Sequence, residues 1–362
     1  MELGLFMMPA HPSGRDPYTA AQWDLQMIRW AEEYGYQEVW IGEHFTSPYE
    51  PVPAPDLLIA QALRETERIR LAPGAHLLPF HHPAELASRV AYLDQLSQGR
   101  LMLGVGSAGL PGDWKMFGVD GFSGQNREMT AESLEIMLRL WTETEPFEYV
   151  GKYWTVNRIE KMFGYLRPHI EPYQKPHPPI GIAGLNSPSP TLQMAGERGF
   201  IPMSLNLNRD YVKSHWDSVV TGAERSGKSP RRDQWRLARE VFVADTDEEA
   251  WRWTVESHLG AYMREYWIGL FGQFDFLKFF KHEPDLPDSA VTPEYLATHN
   301  WIIGSPDTVA EKLAGLYEEM GGFGTVLSLA YDYSEDPGPW RHSMELLGTE
   351  VMPRLKKLTP GA

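Results

Sequence analysis

Residues 2–43 read ELGLFMMPAHPSGRDPYTAAQWDLQMIRWAEEYGYQEVWIGE, and three units follow one another in them. The run ELGLFMM at 2–8 is short and apolar, as a buried strand is. From Ala20 to Tyr34 the period changes: Trp23, Met27, Ile28 and Ala31 recur on one helical face. Gly35 then ends the helix, since glycine accepts the left-handed conformation that a helix terminus needs. A second apolar run begins at once, at 38–43. Strand, helix, strand in that order is the repeating unit of a parallel sheet covered by helices.

The same alternation continues outward. Strands are expected at 69–78, 100–106, 179–184, 200–205, 236–243 and 324–330. Helices are expected at 54–66, 83–97, 127–142, 190–197, 209–224, 246–270, 306–320 and 340–355. Eight strands, nearly all followed by helices, predict a (β/α)8 TIM barrel, read as a single domain over 1–362. A doubly wound open sheet is the rival, and no strand–Gly-x-Gly-x-x-Gly–helix unit supports it. Two insertions interrupt the rhythm. Residues 144–178 carry a hairpin-like FEYVGKYWTV followed by Pro168, Pro172, Pro176, Pro178 and Pro179; residues 271–305 are aromatic, weakly patterned and contain Pro284, Pro287 and Pro293. Loops this long in a compact domain commonly serve as lids.

Composition narrows the function. Lys and Arg total 33 against 49 Asp and Glu, a net charge of −16, which argues against nucleic acid or an anionic membrane as partner. Cysteine is absent, so thiolate chemistry and Cys-ligated metal are excluded. No apolar run is long enough to span a bilayer, and the first residues lack the form of a secretion signal, so a cytoplasmic location is expected.

Barrel chemistry gathers at the carboxyl ends of the strands. His44, after the second strand beside Glu43, suits a general acid/base, a hydrogen-bond donor to a cofactor, a metal ligand, or simply a satisfied rim histidine. His76, His81 and His82 raise a metal reading. The first strand offers no His-x-His pair to complete a ligand set, so no metal is expected. Gly104-x-Gly106 with Ser107 and Gly109 reads as a turn that lets backbone approach a ligand. Ser187, Ser189 and Thr191 open a helix, where free N–H groups and hydroxyls favour an anion; Ser189 alone would be an ordinary N-cap. Trp114, Phe117, Trp267 and Phe271 are candidates for an apolar pocket wall, core packing being the alternative.

With these residues in place, the chain resembles the bacterial-luciferase-like flavin monooxygenases. The carriers are Val39-Trp-Ile-Gly-Glu-His44-Phe, Leu78-Pro-Phe-His-His-Pro83 and Leu93-Asp-Gln-Leu-Ser-Gln-Gly-Arg-Leu-Met-Leu-Gly104. Arg127 with Glu132, Gly151-Lys-Tyr-Trp, and Ile303-Gly-Ser-Pro-Asp-Thr-Val-Ala-Glu-Lys-Leu313 add to them. The stretch GVGSAGLPGDWKMFGVDG from Gly104 resembles the limonene-monooxygenase-like branch. The resemblance implies that His44 is the active-site histidine near the flavin edge. It places Gly74-Ala75, followed by His76, where the family has a non-proline cis peptide beneath the isoalloxazine ring. It puts Gly104, Gly106 and Ser107 along the flavin tail, and Ser187, Ser189 and Thr191 at its phosphate.

The implied cofactor is reduced FMN. Luciferases carry an arginine where this chain has Ser107, which leaves FAD and the deazaflavin F420 open. The implied reaction uses reduced flavin and O2, through a C4a-(hydro)peroxyflavin, to oxygenate a small apolar or carbonyl-bearing substrate. The implied partners are a separate flavin reductase and further copies of the chain, as a homodimer or higher homo-oligomer. An F420-dependent dehydrogenase or a non-catalytic flavin-binding barrel on the same fold are the alternatives.

Overall fold

The computed structural model describes residues 1–359. Its strands, in chain order, are β1 (Glu2–Ala10), β2 (Glu38–Ile41), β3 (Arg70–Pro73), β4 (His76–Leu77), β5 (Leu103–Gly106), β6 (Phe147–Val150), β7 (Thr155–Arg158), β8 (Ile180–Gly184), β9 (Ile201–Ser204), β10 (Arg236–Arg239), β11 (Val241–Val243), β12 (Ile302–Gly304) and β13 (Thr325–Tyr331). The main sheet runs β3-β2-β1-β13-β10-β9-β8-β5-β4, with every neighbouring pair parallel. β3 and β4 are successive pieces of one stave. The sheet closes on itself through them: Leu71 bridges Leu101, the amide of Met102 donates to the Leu71 carbonyl at 2.9 Å, and β4 pairs with β5. Eight staves form the TIM barrel that the alternation predicts.

The first unit shows why these residues fold so. The helix Pro17–Glu33 starts under an Asp16 cap and buries Trp23, Leu25, Met27, Ile28 and Ala31 against the sheet. β2 is buried at all four positions, because the barrel lumen covers one face and helices the other. Trp40 fills the lumen, its ring standing where a side chain at position 181 would be: a Cβ on Gly181 would lie 2.7 Å from it.

Four expectations need correction. The strand expected at 69–78 is interrupted at Gly74-Ala75, a cis peptide, and ends in a 3-10 turn at Leu78–Phe80. The strand expected at 236–243 breaks after Arg239, and β11 leaves the barrel sheet to pair with β12. The helix expected at 246–270 is several: Asp247–Thr254, His258–Tyr262, a π-turn at Met263–Trp267, and Ile268–Gln273. Insertion 271–305 is largely ordered into turns, the helix Pro293–His299 and β12; the helix is capped by Thr292, whose hydroxyl accepts from the Tyr295 amide at 3.3 Å. A helix at Pro111–Phe117 was not expected, although Pro111 at its start and Gly118 (φ 67°) at its end mark it. The hairpin of insertion 144–178 is present as the antiparallel pair β6–β7. Among the described residues no helix is long and apolar enough to cross a membrane.

Candidate functional site

The carboxyl ends of the third and fourth staves form a backbone platform. A Cβ on Gly104 would lie 2.3 Å from the Pro73 carbonyl oxygen, and one on Gly74 would lie 2.8 Å from Cβ of Trp40. Only glycine lets these chains approach so closely. Gly106 lies beside Ala75, and His76 follows directly, buried. Beyond β5 the turn through Ser107 and Ala108 is fixed by Asn126, whose Nδ2 donates to the Ser107 carbonyl at 2.8 Å. Gly74, Ala75, His76, Gly104, Gly106 and Ser107 are thus contiguous. Asn126 was missed, and its Oδ1 is left buried without a partner.

His44 sits at the edge of β2, held between two acidic groups. Its Nδ1 lies 3.3 Å from Oδ2 of Asp113, and its Nε2 lies 3.7 Å from Oε2 of Glu50. The imidazole is 13% exposed and the Asp113 carboxylate is sealed. Burial acts to lower the His44 pKa, but Glu50 and Asp113 outweigh it and raise it above the ordinary value. Asp113 is in turn held below the usual range: burial opposes this, while His44, the Thr46 hydroxyl at 2.6 Å and the Phe45 amide at 3.2 Å stabilise its charge. Glu50 accepts from the hydroxyls of Tyr262 at 3.0 Å and Tyr266 at 2.9 Å. Tyr266 lies in the π-turn, a distortion often found at functional sites. Sequence reasoning reached His44 but not Asp113, Glu50, Tyr262 or Tyr266. Asp113 lies inside a motif already quoted; the others carry no local signal.

Glu43, His76 and His81 bring their ligand atoms within 4.8 Å of one another. All are committed to hydrogen bonds. Arg89 donates to Nδ1 of His81 at 3.3 Å, so the His81 proton is on Nε2, which donates to Oε1 of Glu43 at 2.7 Å. Nδ1 of His76 lies 2.6 Å from Oε2 of the same carboxylate. Burial would raise the Glu43 carboxyl, yet the two imidazoles hold it well below the usual range. The arrangement fixes the tautomer and orientation of His76 beside the platform. His82 is exposed and leads into the helix Pro83–Ser97.

At the end of β8 the three hydroxyls cluster but differ in duty. Ser189 is buried and caps the helix Pro190–Arg198 at Leu192. Thr191 donates to the Ala183 carbonyl at 2.7 Å and lies 3.1 Å from the Ser189 hydroxyl. Ser187 is exposed and receives the Ser214 hydroxyl at 2.6 Å. Ser214, from the next stave, was missed.

The aromatic candidates fall into separate groups. Phe117 stacks on Phe80 with centroids 4.4 Å apart and meets Phe45, beside His44, at 4.7 Å. Trp267 stacks on Phe271 at 4.1 Å, and both pack on Phe280. Trp114 lies instead against Phe122. The Asn208 amide, just beyond β9, donates to the Phe279 carbonyl at 2.8 Å. That bond ties the start of insertion 271–305 to the loop beyond the carboxyl end of β9.

Comparison with known proteins agrees with this geometry. The model of the luciferase-like monooxygenase family matches residues 1–323. The chain is 34% identical to 3,6-diketocamphane 1,6-monooxygenase of Pseudomonas putida over 98% of both chains. It is 30% identical to limonene 1,2-monooxygenase of Rhodococcus erythropolis over 98% of this chain and 86% of that one. A solved structure of the oxygenating constituent of 3,6-diketocamphane monooxygenase from Pseudomonas putida, described as a type II Baeyer-Villiger monooxygenase in complex with FMN, superposes with a TM-score of 0.92 at 35% identity, covering 98% of each chain. With the family model matched over residues 1–323, the identity spread over nearly the whole length and the barrel shared, the chain belongs to the luciferase-like monooxygenases, a family of flavin-dependent oxidoreductases.

Proposed function

We propose that this chain is the oxygenating component of a two-component Baeyer–Villiger monooxygenase, which takes FMN reduced by a separate protein and inserts one atom of O2 beside the carbonyl of a compact alicyclic ketone. The observation that carries the reading is the platform of Gly74, Ala75, Gly104 and Gly106 with His44 at its rim, flanked by Glu50 and Asp113. Glycine at 74 and 104 lets the neighbouring staves approach closely, and Gly74, Ala75 and Gly106 are only half-buried, so nearly bare backbone is offered at the strand ends, as a flat ring system requires. The donor set also suits FMN. His76 and Ser107 border the platform, and the hydroxyls of Ser187 and Thr191 stand at a helix N-terminus, where a phosphate is favoured. Bound reduced flavin would supply the two electrons that activate O2.

The remaining work belongs to the chain's own side chains. His44, whose pKa Glu50 and Asp113 raise against the effect of burial, is placed to hold a proton at the platform edge and to offer it to developing negative charge. Asp113 fixes its ring through Nδ1. Phe45, Phe80 and Phe117 exclude water from that edge, and the segment led by Leu277–Phe280 covers the barrel end. The names of the relatives supply the substrate class: diketocamphanes are compact bicyclic ketones.

The test supplies reduced FMN, reduced FAD and reduced F420 in turn, with a camphane-type ketone, and follows oxygen uptake and product. Oxygen uptake with FMN and a lactone bearing one new oxygen atom is expected. Oxygen-independent turnover with F420 alone would make the chain a dehydrogenase and overturn the reading.

A further inference from the structure

The two acidic neighbours of His44 are not held against it in the same way. Nδ1 lies 3.3 Å from Asp113, within hydrogen-bonding range, whereas Oε2 of Glu50 stands 3.7 Å from Nε2, beyond it. Among the described residues Nε2 has no hydrogen-bond partner, and the imidazole is partly exposed. A carboxylate this near an imidazole is expected to close the gap, because a charge-assisted bond of about 2.7–2.9 Å is the stronger arrangement. Glu50 does not close it.

The reason lies on the other side of the carboxylate, where both oxygens are occupied. Tyr262 donates to Oε1 at 3.0 Å and Tyr266 to Oε2 at 2.9 Å. The two tyrosines stand four residues apart, one ending the helix His258–Tyr262 and the other in the π-turn, so their hydroxyls reach the same group. Each is fixed in turn. The Tyr266 ring stacks on that of Tyr49 at 4.5 Å, and the Ser47 hydroxyl donates to its oxygen at 2.9 Å, which leaves the phenol proton to Glu50. The Tyr262 ring meets that of Tyr331 at 5.5 Å. Burial, and after it the charge of Glu50, pushes both phenols up, so both stay donors. The charged groups acting on His44 are Glu50, Asp113 and, with the smallest effect, Glu43, whose carboxylate is spent on His76 and His81.

We propose that Tyr262 and Tyr266 are positioning residues of the site: by holding both oxygens of Glu50 they keep the carboxylate off Nε2 of His44, so that its charge is felt while the Nε2 hydrogen stays uncommitted. That this hydrogen serves the flavin edge rests on the function proposed above; that it is uncommitted does not. At 3.7 Å the Coulomb attraction persists, since it falls only as the inverse of distance, while the hydrogen bond is lost. An imidazolium bonded to a carboxylate on both sides would have no proton to offer.

The test is the double variant Tyr262→Phe/Tyr266→Phe, which keeps both rings and removes only the hydroxyls. Histidine carbon shifts followed by NMR against pH, in the full chain without flavin, report on His44, whose signal is identified by its loss in His44→Ala. The freed carboxylate is expected to close on Nε2, so the His44 pKa should rise and the alkaline limb of turnover should move to higher pH. Plateau turnover of a camphane-type ketone with reduced FMN should nevertheless fall, roughly tenfold, because the proton is now held by Glu50. In a Glu50→Gln background the two hydroxyl deletions should leave the His44 pKa where Glu50→Gln alone puts it, a result that general loosening of the fold would not give. A His44 pKa unmoved or lowered in the double variant, a rise that survives Glu50→Gln, or parental turnover in the double variant would each overturn the proposal. Should the double variant not fold, Tyr266→Phe alone, on the oxygen that faces His44, carries the same expectations. Should the parent oxidise no ketone while the His44 shifts appear as expected, the proposed reaction fails and the positioning of Glu50 stands.

Discussion

Two groups of buried carboxylates, Glu38 at the amino end of the barrel and those around His44 at the carboxyl end, are held in opposite ways. At the amino end, Glu38 opens β2 and is wholly buried, and every lone pair is used. Arg236 grips it through Nε at 3.1 Å and Nη2 at 3.0 Å, Arg70 donates at 2.9 Å and the Trp40 indole at 3.0 Å. At the carboxyl end, Glu50, Asp113 and Glu240 are also buried, yet none meets an arginine or lysine. They face tyrosines, an amide, a threonine and one histidine. A saturated ion cluster fixes a fold; Asp113 and Glu50, backed by hydroxyl donors, hold the His44 imidazole at the mouth. The difference is that expected between the stability end and the reaction end of such a barrel.

The comparison breaks most forcibly at Glu38. Glu38→Ala would leave the Arg236 guanidinium buried without its partner, and a loss of about 3–5 kcal/mol in unfolding free energy by urea titration is expected. Activity per folded molecule should not change. A loss under about 1 kcal/mol would show that the cluster is not holding the barrel together.

The mirror experiment is His44→Ala. Turnover should fall roughly 10²-fold while the urea midpoint stays near that of the parent. Stability lost with activity kept would return His44 to the status of a rim histidine.

Asp113→Asn sharpens the comparison without removing the imidazole. His44 is charged below its raised pKa and loses its proton above it, and Asp113 is one of the groups doing the raising. Removing that charge should lower the His44 pKa, since one of the two carboxylates that raise it is gone. The alkaline limb of activity should move to lower pH. An unmoved limb would leave Glu50 as the sole determinant.

The smallest effect is expected where hydroxyls are already engaged. Replacing Ser187 and Thr191 by Ala should weaken FMN binding by about 1 kcal/mol and leave riboflavin, which has no phosphate, unaffected. Equal losses for both ligands would place the phosphate elsewhere.

Legibility in the sequence followed the range of the interactions. The helix Pro17–Glu33 and the strand at its end were readable because a periodic face is a local property, and His44 because strand ends are fixed once strands are. The Pro111–Phe117 helix carried its own signals, proline at the start and glycine at the end, and was overlooked against stronger neighbours. The break at Gly74 was legible through the cis peptide that the resemblance implies at Gly74-Ala75, whereas the break after Arg239 was hidden in a run read as one strand. Both depend on which stave lies alongside, β5 in one case and β12 in the other.

By itself, then, the sequence determined the eight-fold alternation, the glycines at 74 and 104 and a histidine at the end of the second strand, since each rests on the preference of one residue or one short period. The tertiary structure alone decided what that histidine is. Asp113 reaches it from 69 positions away, and the tyrosines that hold Glu50 lie 212 and 216 positions from it. Glu240 likewise finds Asn206 and Tyr331 only across 34 and 91 positions. Protonation is set by burial and by the nearest charges, and both exist only after distant segments have packed.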